Sequence, residues 1–342
     1  MMGSLLETRF TETECHALLQ GAHLGFVDVG AAGGFPQEIH AMAGLTDVMF
    51  FEPDPLEFKN ITALGEKAGF ARMIGFQSIL ADSYGPKVLN VTKSGVNSSL
   101  LTPNKRFCDR YNLPGFEIID SINMEAATLD GCLEKAEGFT PDIIKIDCQG
   151  VDYSILKASD EALSQSVCVF CEMIVAGMYD GQNGWFDINA LLESKGFRMY
   201  GMWPHYISNR KLDRKTHETN ERLLFVDGLY FKDPLVETGP QYKPSERSLS
   251  ALFVAACLYH YYDFAIELAQ MFSGPQVAVL RECVVELAAG RKQWMIDEAQ
   301  TFVQQFQQDA GNDYLLTKKF IDRLKDNNDV AFIADDRSRN GI

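Results

Sequence analysis

The sequence predicts an α/β fold: a mainly parallel sheet with helices on both faces, followed by a C-terminal helical extension. Three observations carry this. Apolar, strand-like runs alternate with helical patterns over roughly the first 235 residues, as in a parallel sheet covered on both sides. One of them, Phe26-Val27-Asp28-Val29, runs into Gly30-Ala31-Ala32-Gly33-Gly34-Phe35, a buried strand leading through a glycine-rich turn to a helix. After Pro240 the strand-like runs stop and helical patterns take over.

Along the chain, Thr11 and Glu14 form a capping box before an N-terminal helix. The glycine loop follows the first strand, and Pro36 starts the next helix. Val48 to Phe51 is a second strand, and Asp54, Pro55 and Glu57 supply an N-cap, a first-turn proline and an acidic third position for the helix after it. Further strands are expected at Phe76 to Leu80, Ile143 to Asp147, Val167 to Cys171, Phe197 to Met202 and Leu223 to Phe231, the last two as an antiparallel edge hairpin. Residues 87–127, rich in Val, Ser and Asn without a convincing helix, read as an inserted hairpin or lid beside the site.

Pro234, Gly239, Pro240 and Pro244 mark a linker between a domain at residues 1–238 and a helical extension at 245–342. Helices are expected there at Ser245 to Phe272, Gln276 to Ala289, Lys292 to Gln308 and Asp313 to Asp326. Ala255 and Ala289, like Ala265 and Ala299, recur at the tetratricopeptide spacing of about 34 residues, and Tyr261 to Ala269 resembles the second helix of such a repeat. Two degenerate units fall short of the three such arrays need, which favours a small helical bundle that packs on the first domain, dimerises or binds a partner.

Gly30 and Gly33 permit tight turns and close approach of a ligand, while Asp28 puts a carboxylate at the strand end. Glu52 ends the second strand about 20 residues further on, where a ribose-binding acid is expected. The loop lacks G-x-G-x-x-G, and an acid just before the first glycine suits a cation better than a pyrophosphate. S-adenosylmethionine carries an ammonium and a sulfonium, so Asp28 and Glu52 can divide its amino-acid end and its ribose. An ordinary glycine-rich strand–helix turn is the other reading of so short a motif.

Further pieces follow in order: Phe51-Glu52-Pro53-Asp54-Pro55, Ser98-Ser99-Leu100, Thr128-Leu129-Asp130, Pro141-Asp142-Ile143-Ile144-Lys145-Ile146-Asp147-Cys148-Gln149-Gly150, and Glu172 after Val169-Phe170-Cys171. With Val27-Asp28-Val29-Gly30-Ala31 they make the chain resemble the FkbM family of S-adenosylmethionine-dependent methyltransferases, and Asp227-Gly228-Leu229-Tyr230-Phe231 resembles that family's closing strand. The resemblance implies a Rossmann-like class I methyltransferase fold, S-adenosyl-L-methionine as cofactor, and O-methylation of a saccharide, glycan intermediate or secondary metabolite. Ala31 and Pro53 lie inside matching pieces and join Asp28, Gly30, Gly33, Glu52 and Asp147 as expected cofactor contacts. One departure is Gln149-Gly150 where the family usually has Glu-Gly. Were that acid an essential base, the chain would be a catalytically silent, cofactor-binding scaffold whose helical domain binds a partner. A nicotinamide dehydrogenase is a more distant alternative.

Asp147 and Glu172 fall at the carboxyl ends of neighbouring strands, the ligand crevice of an open α/β sheet. A carboxylate there accepts or orients the proton of an attacking hydroxyl; for Asp147 the competing role is a cap on the helix beginning near Val151. Lys145, two residues earlier on the same side of the strand, is its expected partner. Asp82, just past the third strand, suits the adenine amino group or a turn with Ser83 and Gly85. His205, after Trp203-Pro204, reads as a general base, an acceptor contact or a solvated loop histidine. Asn97, Ser98 and Ser99 read as sugar contacts or as a polar turn.

With 342 residues, 46% of them hydrophobic and 23% charged, the chain can bury a substantial core. Its formal charge of −16 opposes phosphate backbones and anionic membranes, so no nucleic-acid acceptor is expected. Arg210, Lys211, Arg214 and Lys215 form a local basic cluster, either a solvated loop or a contact for an anionic sugar or carrier phosphate. Met1 to Phe10 contains Glu7 and Arg9 and no apolar core, and no run is long enough to span a bilayer; a cytoplasmic protein with eight reduced cysteines is expected. Cys168 and Cys171 have C-x-x-C spacing, but strand alternation points them to opposite faces, as core residues rather than metal or redox ligands.

Overall fold

The computed structural model describes residues 5–208, 221–237 and 241–325. The basic cluster Arg210, Lys211, Arg214 and Lys215 lies outside the described residues, as do Gly239 and Pro240. In chain order the first elements are α1 (Glu14–Gly21), β1 (Leu24–Val29), α2 (Gln37–His40), β2 (Thr46–Phe51), α3 (Pro55–Ala68) and β3 (Arg72–Phe76). Next come β4 (Ile79–Leu80), β5 (Gly85–Thr92), α4 (Lys105–Tyr111), β6 (Ile118–Ala127), α5 (Leu129–Leu133), β7 (Ile143–Ile146), α6 (Asp152–Lys157) and α7 (Asp160–Gln165). They are followed by β8 (Cys168–Ile174), α8 (Trp185–Ser194), β9 (Arg198–Ile207), β10 (Arg222–Phe231), α9 (Glu246–Leu258), α10 (Tyr262–Ala269), α11 (Gln276–Gln308) and α12 (Asp313–Lys325).

Seven strands form one sheet in the order β3-β2-β1-β7-β8-β10-β9. Pairing is parallel from β3 to β8, whereas β10 runs antiparallel to both of its neighbours, giving the expected edge hairpin. The order reverses between β1 and β7, which opens a crevice at their carboxyl ends. Both faces of the central strands are covered, so β1 and β2 are buried at every position and read as apolar runs save for Asp28, Thr46 and Asp47. The α3 signals hold: Asp54 accepts from the backbone N–H groups of Leu56 and Glu57, and Gly69 ends the helix at φ 79°.

Several local expectations shift. The first cap is Thr13, which accepts from His16 N, because a 3-10 turn at Arg9–Glu12 absorbs Thr11. The run Phe76 to Leu80 is not one strand: β3 ends at Phe76, and Ile79 and Leu80 instead pair with Ala126 and Ala127 in a second sheet, ordered β4-β6-β5. Within residues 87–127, β5 and β6 pair antiparallel, yet α4 lies between them, capped by Asn104 and closed by left-handed Asn112. At seven residues it is too short for helical periodicity to register.

The C-terminal helices also differ from expectation. The run Ser245 to Phe272 is broken into α9 and α10 at His260, which has φ 66°. Gln276 to Gln308 is one helix that carries Gly290 in its interior, a cost of about 1 kcal/mol against alanine.

Every residue of α9 from Leu249 to Leu258 is buried. The helix shares a core with Phe26, Phe50, Ile143, Cys168 and Phe231 and with Leu19 of α1. It therefore supplies the helical layer on one face of the main sheet. The opposite face packs Val27, Ile144, Val169 and Cys171 against Ile155, Leu163 and Leu192. Cys168 and Cys171 thus point to opposite faces, as strand alternation requires. At the base of the sheet, Arg247 of α9 donates to both carboxylate oxygens of Asp142, whose Oδ2 also accepts from Gly25 N at 2.8 Å. Among the described residues no helix is long and apolar enough to cross a membrane.

Candidate active site

The loop after β1 turns through positive φ at Gly30 (81°), Gly33 (89°) and Gly34 (97°). A Cβ on Gly30 would lie 2.1 Å from the carbonyl oxygen of Asp147, so only glycine lets this loop rest against the end of β7. Asp147 N donates to Val29 O at 3.0 Å, and Ala31 N donates to Phe51 O at 3.4 Å. These bonds draw the ends of β1, β2 and β7 together around the loop.

Asp28 and Lys145 are register partners on β1 and β7. Lys145 Nζ lies 2.9 Å from Asp28 Oδ1 and donates to Gly30 O at 2.9 Å. Its ion-pair partner is therefore Asp28 rather than Asp147, because the register sets the two side chains opposite each other. Burial pushes the Asp28 carboxyl up and Lys145 draws it back. Asp28 Oδ2 is enclosed without a hydrogen-bond partner. Glu52 is buried at the end of β2, its Oε1 accepting from Asp54 N at 2.8 Å, and burial raises its pKa. Pro53 follows it, half-buried. Asp82 lies in an exposed turn, where hydrogen bonds first from Lys87 and then from Ser83 hold its carboxyl below the ordinary range. None of its hydrogen bonds given by the structure reaches the glycine loop or β7.

Beyond Asp147 the acids converge. Glu172 on β8 and Asp227 on β10 are register partners, and Asp227 Oδ2 lies 2.8 Å from Nε2 of His205 on β9. His205 is a strand residue and not a loop one, because β9 continues to Ile207 and stacks the imidazole on Phe225 at 4.2 Å. Glu172 likewise lies inside its strand, since β8 continues to Ile174 against Phe225. Its Oε1 is buried without a hydrogen-bond partner.

Gln149, at φ 52°, ties the site together. Its Nε2 donates to Asp147 Oδ1 at 3.0 Å, its Oε1 accepts from the Tyr179 hydroxyl at 2.9 Å, and its carbonyl accepts from Ser99 Oγ at 2.7 Å. The Tyr179 hydroxyl also lies 3.0 Å from the carbonyl of Asn97, whose Nδ2 is buried and unpartnered. Ser98 Oγ accepts from Thr92 N. Asp147 does not cap α6; Asp152 secures that turn by accepting from Cys148 N at 2.8 Å and Gly150 N at 3.1 Å.

Burial raises the Asp147 pKa against the pull of Lys145, and Asp227 adds to the rise. Glu172 is raised well above the ordinary value by burial and then by Asp147, Asp152 and Asp227. Asp152 is pushed up to about 7 by burial and by Asp147. Burial and the neighbouring carboxyls therefore both oppose ionisation of Asp147, Asp152 and Glu172. Among the described residues, no group of three or more His, Cys, Asp or Glu is arranged to hold a metal ion.

Asp227, Asp152 and Tyr179 are the members that the sequence reading did not single out for the site. A lone carboxylate inside the apolar run Leu223 to Phe231 was a usable signal for Asp227. Tyr179 had none, because its partner is thirty residues away in the chain.

No curated protein matches the chain significantly. Solved structures that resemble it do so distantly. A candidate tRNA methyltransferase of Streptococcus pneumoniae is 10% identical over 80% of this chain and 96% of that one, with a TM-score of 0.30. The O-methyltransferase segment StiE O-MT is 9% identical over 71% and 76%, at 0.33, and M. jannaschii TYW2, in complex with AdoMet, is 11% identical over 64% and 74%, at 0.26. Likenesses at that level carry no argument about this chain. The methyltransferase FkbM domain, by contrast, matches residues 28–199, half of the chain, from Asp28 through Glu52, Asp147 and Glu172 to Met199. On that match the chain belongs to the FkbM methyltransferase family and is an S-adenosylmethionine-dependent methyltransferase.

Proposed function

We propose that the enzyme methylates a hydroxyl of a saccharide, a glycan intermediate or a secondary metabolite, with Asp147 accepting or orienting the hydroxyl proton. The observation that carries this reading is the position of Asp147, whose backbone closes on Gly30 while its side chain joins the acid cluster. One residue thus adjoins both the cofactor loop and the groups able to take a proton.

The residues fit S-adenosylmethionine. Gly33, at positive φ with open space where a Cβ would stand, leaves open backbone at the loop, Glu52 presents a carboxylate suited to ribose hydroxyls, and Asp28 offers a buried, unpartnered oxygen next to Lys145. Bound there, the cofactor would supply an electrophilic methyl group on its sulfonium. The chain's part is alignment in a water-poor crevice and handling of the acceptor proton. The Gln149 amide fixes Asp147 Oδ1, His205 paired with Asp227 is a second proton acceptor, and Glu172 in its protonated form can donate a hydrogen bond to an acceptor oxygen. A cytoplasmic setting and polysaccharide biosynthesis accord with this reading, and the charge of −16 disfavours nucleic acid as acceptor.

Incubation of the purified enzyme with deuteromethyl-labelled S-adenosylmethionine and a metabolite and glycan extract tests the acceptor class by mass spectrometry. Labelled methyl ethers of hydroxyl compounds are expected; label found only on nucleic acid would overturn the proposal.

Three predictions arise at this site. In calorimetry, S-adenosylhomocysteine should bind and NAD should not. Glu52→Ala should weaken binding by roughly 1.5–3 kcal/mol, the worth of charge-assisted hydrogen bonds. Unaltered affinity in that variant would remove Glu52 from the ribose site. Gln149→Glu replaces a donor to Asp147 with another acid, which favours protonated Asp147. A base works only when deprotonated, so the acidic limb of the pH–rate profile should move to higher pH, and a limb that stays in place would show that Gln149 does not set Asp147.

A further inference from the structure

The outer face of α11 carries a regular apolar strip. Val285, Ala289, Ile296, Ala299, Val303 and Phe306 follow one another at alternating four- and three-residue spacing, with Lys292 as the single polar member, and every one of these positions is exposed. Val285 is 59% exposed, Val303 50%, Ile296 40% and Phe306 39%. The helix turns other residues towards the protein: Leu287 packs on the main core, and Phe302 stacks on Phe320 of α12 at 4.6 Å. Scattered apolar side chains on a surface need no explanation, but a strip at period 3.5 over three heptads is the pattern that a second helix fills.

Charge and side-chain size select the occupant. The chain as a whole bears −16, so two copies repel over most of their surfaces. Beside the strip, however, lie Glu286, Gln293, Gln300 and Gln307 on one flank and Ala288, Met295 and Phe302 on the other, uncharged except for Glu286, which pairs with Arg9 of its own chain at 3.2 Å. Such a border neither repels an identical strip nor attracts a basic partner. The strip is also complementary to its own reverse. With two helices antiparallel and centred on Ile296, Ala289 falls opposite Val303, while Val285 and Lys292 come within one residue of the levels of Phe306 and Ala299. Small residues then meet large ones, and the two ammonium groups are kept apart. A parallel pairing would set Lys292 against itself.

We propose that this strip is an interface with a second copy of the chain, two α11 helices crossing antiparallel about a two-fold axis at Ile296. The dimer would be a four-helix assembly of two α11–α12 hairpins, and the assignment does not depend on the identity of the methyl acceptor.

Sedimentation equilibrium of the full chain should give twice 38.3 kDa. Ile296→Glu places two carboxylates on the axis and should raise the dimer dissociation constant by about 100-fold or more, with unchanged circular dichroism and unchanged S-adenosylhomocysteine binding. Under mild oxidation Ile296→Cys should cross-link between subunits, over the background of the parent chain, and Lys292→Cys should not. A monomer at tens of micromolar, a dimer indifferent to Ile296→Glu, or cross-linking by Lys292→Cys alone would each overturn the proposal.

Discussion

Asp147→Asn is expected to cut methyl transfer by about 10²-fold or more, the usual scale for a positioned base, while S-adenosylhomocysteine binds with nearly its original affinity. Asparagine keeps the size of the side chain and can still meet Gln149 through its amide oxygen, so the fold around Gly30 should survive. The pH dependence provides an independent reading. Burial raises the Asp147 pKa, so the working carboxylate is lost as pH falls through a value above the ordinary aspartate range, and the acidic limb of the parent enzyme should lie there. In Asp147→Asn that limb should vanish along with most of the rate. Unchanged turnover would transfer the proton to His205 and Asp227. Normal cofactor binding by a parent chain that methylates no acceptor would favour the scaffold reading instead.

The second large effect concerns α9. A chain cut at residue 240 removes the fully buried run Leu249 to Leu258 and uncovers Phe26, Phe50, Ile143 and Phe231 on one face of the main sheet. It is expected to be insoluble or to lack cooperative unfolding, even though the family match ends at Met199. A single change should show the same dependence in graded form. Arg247→Ala leaves Asp142, only 1% exposed, without its cation, and breaking such a buried pair costs about 3–5 kcal/mol. Urea unfolding monitored by tryptophan fluorescence measures it. A truncated chain that unfolds cooperatively, or a loss well below 1 kcal/mol in Arg247→Ala, would mean that the two halves are stable apart.

Much of the glycine loop after β1 was legible in the sequence, because what specifies it is local. Gly30 must have positive φ and no side chain, and that demand is met by one residue type wherever the loop goes. The central strands were legible for a related reason: burial on both faces leaves β1, β2, β7 and β8 mostly apolar, so they stand out as apolar runs interrupted only by Asp28, Thr46, Asp47, Lys145 and Glu172. Asp54 and Pro55 fixed the start of α3 because capping is settled within one turn.

What the tertiary structure alone decided depends on register and on surfaces distant in the chain. Lys145 answers Asp28 because β1 and β7 align those two positions, and no periodicity within either strand contains that alignment. Asp227 and His205 reach the acids of β7 and β8 only because β10 inserts antiparallel between β8 and β9. The sequence marks α9 as helical, but not that its apolar surface covers the main sheet. A helix pattern states how much surface must be buried, whereas the partner is chosen by which exposed face of the sheet remains when the chain has closed on itself.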